Sequence, residues 1–146
     1  MKTFLSILIS SVVLISCDFR KKNNSKGLSA TELQMLNKPT TVQVIDSMYD
    51  FGKVNEGELV QYNFRFRNTG KNPLVISNVS ASCGCTVPEK PEKPIQPGEI
   101  GFIKVTFNSE RRPGEVNKAI TITSNADPEF HELYLKGTVI GKTTEN

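Results

Sequence analysis

The chain has 146 residues, with 18 Lys and Arg against 15 Asp and Glu, one His, three Cys and no Trp. That length holds one domain and leaves no room for a second independent core. Apolar residues at 37% and a net charge of +3 exclude a wholly disordered chain and a dedicated nucleic-acid binder, and a single His leaves little material for a catalytic site.

Met1-Lys2 supplies a positive start, and Phe4 to Ile15 is a nearly unbroken apolar run. About a dozen residues suits the apolar region of a signal peptide and falls short of the ~20 needed to span a bilayer as a helix. Leu14-Ile15-Ser16-Cys17 then resembles a bacterial lipobox. In proteins with that motif the Cys thiol takes a diacylglyceryl group, cleavage falls just before it, and the freed amine is acylated. Residues 1–16 are therefore expected to be a lipoprotein signal peptide and Cys17 the lipidation site. The alternative is an ordinary cleaved signal peptide with an incidental cysteine. Several acyl chains, at ~0.8 kcal/mol per buried CH₂, hold a protein on a membrane where one chain does not. The expected place is the bacterial cell envelope, outside the cytoplasm, in the periplasm or on the cell surface. Asp18 is associated with inner-membrane retention in enteric bacteria, a rule that does not extend to all phyla, so the choice of membrane stays open.

Residues 17–39 shift to Lys, Asn, Ser and Gly and read as a lipidated linker. If flexible, some twenty residues span roughly 25 Å. Arg20-Lys21-Lys22 either adds attraction to an anionic surface or only solvates the tether. Ser29-Ala30-Thr31-Glu32 resembles a capping box ahead of Leu33, Met35 and Leu36, the signature of a short helix.

Beyond residue 40 the period becomes two. Thr41 to Ile45 alternates, as does Tyr62 to Asn68, with aromatics on one face and Asn and Arg on the other. Ile103, Val105 and Phe107 form a third inward set, Ile120 and Ile122 a fourth, and Leu133, Leu135 and Val139 a fifth. Met48 to Val54 and Leu74 to Val79 add shorter β-rich runs. Turn signals separate them at Glu56-Gly57, Thr69 to Pro73, Gln96-Pro97-Gly98, Arg112-Pro113-Gly114 and Asn125 to Pro128. About seven short strands with one apolar face each predict an all-β, two-sheet antiparallel sandwich over residues 40–141, followed by a polar tail at 142–146. Pro88, Pro91, Pro94 and Pro97 recur every third residue, which fits either a polyproline ligand or a stiff connector that blunts a sheet edge.

The residues that follow carry a family resemblance. Asp50-Phe51-Gly52-Lys53-Val54, Gly57-Glu58, Phe64 to Gly70, Pro73-Leu74-Val75-Ile76, Ser82-Cys83-Gly84-Cys85-Thr86, Pro97-Gly98-Glu99 and Val105-Thr106-Phe107 resemble an immunoglobulin-like family of bacterial envelope proteins without assigned function. The Ser-Cys-Gly-Cys-Thr string is the specific part. The shorter pieces are shared with abnormal-spindle/Hydin-like and major-sperm-protein-like sandwiches, which are binding or scaffolding modules. The resemblance implies an immunoglobulin-like fold and an envelope setting, and it brings no catalytic residues. Gly52 and Gly57 stand where turns can require positive φ.

With Cys17 assigned to lipid, Cys83 and Cys85 remain, one residue apart. On an extended strand their Cα atoms would lie about 6.6–7 Å apart, at the limit for a disulfide, and Gly84 lets the chain turn and close that gap. Four roles compete: a structural disulfide or packed thiols, a redox pair, a two-thiolate Cu(I) site, and intermolecular disulfides. Zinc would need two more ligands, and His131 is the only His. Glu89 and Lys90 are the nearest charges in sequence, so nothing obvious lowers a thiol pKa. No nucleophile elbow or phosphate loop is present, and no cofactor is expected. The function expected is a non-enzymatic, lipid-anchored binding or structural module whose partners are the bacterial membrane and another envelope component. The alternative is thiol redox or Cu(I) handling at Cys83 and Cys85.

Overall fold

Alternating side chains become strands only when both inner faces find a partner, and here two sheets supply it. The computed structural model describes residues 27–142; the lipobox, Cys17 and residues 143–146 lie outside that range. A short helix α1 (Ala30–Leu36) precedes eight strands: β1 (Val42–Val44), β2 (Met48–Asn55), β3 (Leu59–Asn68), β4 (Ile76–Ala81), β5 (Thr86–Glu89), β6 (Ile100–Asn108), β7 (Gly114–Ser124) and β8 (Leu133–Ile140). One sheet has the order β1-β3-β6-β5 and the other β2-β8-β7-β4.

The expected two-sheet sandwich is present, with two refinements. The eighth strand is β5, four residues with Pro88 among them, which takes an edge position where a missing N–H is tolerated. The other is that β2 and β8 run parallel while all other neighbours are antiparallel. Near-terminal strands therefore close one side of the second sheet.

Between the sheets Phe64, Phe66, Leu74, Ile103, Val105, Phe107, Ile120, Leu133 and Leu135 are fully buried. Each large side chain so enclosed stabilises the fold by about 1.5–3 kcal/mol relative to an exposed one. Close approach sets one inward position on β8. A Cβ at Gly137 would enter the ring of Phe51, which stacks on Phe107 at 5.8 Å. Gly52, at φ +69°, accommodates the bulge that shifts the β2–β8 register between Asp50 and Lys53, and Gly57 turns at φ +98°.

Two buried asparagines lock the end of the sandwich where the N-terminal segment enters. Asn68 accepts from Thr40 Oγ1 (2.9 Å) and Gly70 N (3.1 Å) and donates to the carbonyls of Asn72 (2.8 Å) and Ile95 (2.9 Å). Asn125 accepts from Val75 N at 2.8 Å and donates to the carbonyls of Lys38, Pro73 and Met35. Within the stretch read as linker, α1 forms with the expected capping box: Ser29 Oγ accepts from Glu32 N, and Glu32 accepts from Ser29 N. That reciprocal bond is the main reason the Glu32 carboxyl titrates below its usual value.

The proline-rich connector between β5 and β6 crosses toward the other sheet. Leu74 and Ile95 exchange backbone bonds at 2.9 Å, and Lys90 Nζ donates to the carbonyls of Ile76 (3.3 Å) and Ser77 (3.4 Å) on edge strand β4. This matches the stiff connector, with a lysine covering part of an exposed edge.

Candidate functional site

The chain leaves one sheet at Ala81 and enters the other at Thr86, and residues 82–85 make that crossing. The two cysteines of the pair lie in the crossing and are joined by a disulfide, with Cα atoms 5.4 Å apart. The turn at Gly84 thus closes the gap that a straight strand would leave. Backbone bonds hold the crossing on both sides: Ser82 N to Ala119 O (3.1 Å), Thr86 N to Cys83 O (3.2 Å) and Asn108 N to Cys85 O (2.9 Å).

The two sulfurs have different surroundings. Cys85 is buried at 6% exposure within the core, whereas Cys83 is half-buried and packs at its margin. Gly84 is exposed, and the direction its Cβ would take is open space. Thr86 is buried, and its Oγ1 lies 3.7 Å from Cys83 Sγ and 3.8 Å from Cys85 Sγ. In the sequence Thr86 is marked only by its adjacency to the second cysteine. Because the sulfurs are bonded to each other, a two-thiolate Cu(I) ligand set exists only in the reduced protein. Glu89 is paired with Lys104 at 3.1 Å, and Lys90 is turned to the β4 carbonyls, so the charges nearest in sequence are engaged elsewhere. His131 is exposed on the segment before β8.

A second feature is the outward face of the β1-β3-β6-β5 sheet. Phe102 on β6 is 51% exposed and stands opposite Arg65 on β3, with Ile100 exposed two residues away and opposite Arg67. Arg65 is held by Asp46 through Nε–Oδ2 (2.8 Å) and Nη2–Oδ1 (3.0 Å). That fork is the chief cause of the Asp46 carboxyl titrating below the usual aspartate value, and it raises Arg65 in turn. Tyr62 is pushed up, first by burial and then by the nearby Asp46 charge. Among the described residues, no group of three or more His, Cys, Asp or Glu is placed to hold a metal ion.

The sequence pattern of the family described as "Protein of unknown function (DUF1573)" matches residues 42–139. The chain belongs to the DUF1573 family. The match starts at β1 and ends in β8, so this DUF1573 domain is the whole sandwich, crossing and disulfide included. Among curated proteins nothing matches the sequence. A solved protein of unknown function from Porphyromonas gingivalis W83 is similar in structure, with TM-score 0.58, 18% identity and 79% of this chain covered. The chain spans about half of that protein, 51% of its length. The ASH/PapD-like domain 7 of human CEP192 is similar at TM-score 0.59 and 13% identity, over 71% of this chain and 88% of that domain. At such identities both likenesses show the fold alone, an immunoglobulin-type β-sandwich.

Proposed function

We propose that this DUF1573 protein is a lipid-anchored module of the bacterial cell envelope that binds another envelope component without catalysing a reaction on it. The lipobox around Cys17 supports attachment to a membrane through acyl chains, with the sandwich outside the cytoplasm. The observation that carries the binding role is the outward face of β3 and β6. Phe102 and Ile100 are exposed there on β6, a middle strand of the sheet, beside Arg65 and Arg67 of β3, an apolar pair rimmed by charge.

The test is made in cells. A photo-reactive residue replacing Phe102 should give a discrete adduct, and one replacing Thr121, on the outward face of the other sheet, should give none. Equal adducts at both positions, or none at either, refute the binding role. Cys17→Ser should abolish lipid labelling and release the chain from the membrane fraction; unchanged attachment refutes the anchor.

A second role, thiol–disulfide chemistry at Cys83 and Cys85, is favoured by one observation. The crossing leaves Cys83 partly open to solvent rather than sealing both sulfurs in the core.

A further inference from the structure

The disulfide lies far from where the N-terminal segment joins the sandwich. Thr86 pairs with Phe107 and Phe107 with Val60, whereas Asn68, eight residues along the same β3, holds Thr40. At ~3.3 Å per residue that is roughly 26 Å. The cysteine pair therefore occupies the tip opposite the one tied to the tether.

We infer that this tip is a site of thiol exchange in which a partner protein's cysteine thiolate attacks Cys83 Sγ and Cys85 leaves. The inference deepens the thiol role given above and rests on it. The balance is that of any such exchange. The incoming thiolate forms a new S–S bond to Cys83. The Cys83–Cys85 bond breaks, its electron pair stays on Cys85 Sγ, and Cys85 then takes a proton from water or returns to expel the partner. One disulfide replaces another, and no separate oxidant or reductant is consumed.

The difference in burial sets the direction, and Thr86, 3.7 Å from Cys83 Sγ and 3.8 Å from Cys85 Sγ, serves whichever sulfur leaves. Attack needs access along the S–S axis, and only Cys83 is at the margin of the core. A Cβ at Gly84 would meet nothing within 4 Å, so the residue between the two cysteines adds no bulk to the crossing. Thr86 Oγ1 is within reach of Cys85 Sγ, so its O–H can donate to the departing thiolate, which would otherwise form among apolar neighbours. Thr86 is thus a positioning residue for the leaving sulfur.

The experiment uses the full chain in detergent, reduced glutathione as the probe, an acid quench and peptide mapping by mass spectrometry. Glutathione should be found on Cys83 at least about ten-fold more than on Cys85. Thr86→Val should slow the opening about ten-fold and Thr86→Ser should restore it, the rate worth of one hydrogen bond to a charged sulfur. In the reduced protein, Thr86→Val should also move alkylation of Cys85 to higher pH, while Thr86→Ser leaves it in place. Equal modification of the two sulfurs, or a rate indifferent to Thr86→Val, overturns the inference and leaves thiol exchange standing. No exchange below the denaturant concentration that unfolds the sandwich overturns both. If Thr86→Val does not fold by circular dichroism, the map of the unaltered chain still decides.

Discussion

Asn68 shows how much one buried polar side chain can hold. Its amide meets four partners from three segments while the residue is fully enclosed. Removing it leaves buried donors and acceptors unpaired, at about 1–3 kcal/mol each. Asn68→Ala should therefore lower unfolding free energy by about 3 kcal/mol. Asn68→Asp should be no better, because both donated bonds disappear and a charge is buried. Chemical denaturation of the three chains checks this. Asp46 gives a pH-dependent counterpart. Its folded carboxyl titrates below the unfolded value near 3.9, chiefly through the Arg65 fork. That contribution is full above the unfolded value and is lost as pH falls through the folded one. The gap in denaturation midpoint between the unaltered chain and Asp46→Asn should be constant from neutral pH to about 5 and close below about 4, as denaturant titrations at each pH would show.

At the scale of single elements, β8 accepts an aromatic ring only because Gly137 has no side chain. Gly137→Ala should force Phe51 off its stack with Phe107 and cost about 1–3 kcal/mol by overpacking. Thermal melts of the single variant and of Gly137→Ala with Phe51→Ala should show the second change recovering part of the loss. Much of the element layout was legible from alternation: the runs at 41–45, 62–68, 103–107, 120–122 and 133–139 each fall on a strand. Strand β5 was hidden by its length and by Pro88, whose usual effect is to end a strand rather than to sit on a sheet edge. The parallel pairing of β2 with β8 had no local signal, since pairing direction depends on which distant segment arrives alongside. The closeness of Cys83 and Cys85 was plain in the sequence. Thr86's place beneath both sulfurs was not, because it depends on where β5 settles against β6.

For the whole molecule, the disulfide closes a very short loop and adds little to global stability. Loop-closure entropy for a three-residue ring amounts to about 1.6 kcal/mol. The double variant Cys83→Ser, Cys85→Ser should therefore still fold cooperatively, with unfolding free energy reduced by about 1–2 kcal/mol in guanidinium titrations. A collapse of the fold would instead mark the bridge as a structural necessity. The larger share of stability sits in the aromatic and aliphatic centre, where Phe64→Ala should cost about 3–5 kcal/mol in the same titration.

The placement of the two asparagine clamps and the sulfur tip at opposite ends has a mechanical meaning. If the lipid holds one end and a partner grips the other, tension runs lengthwise along the strands. Sheet hydrogen bonds lie across that direction, so a whole row must slide at once instead of parting one by one. A small sandwich mounted in this way resists shear as a strap does, and first yields where β1 meets β3 over only three residues.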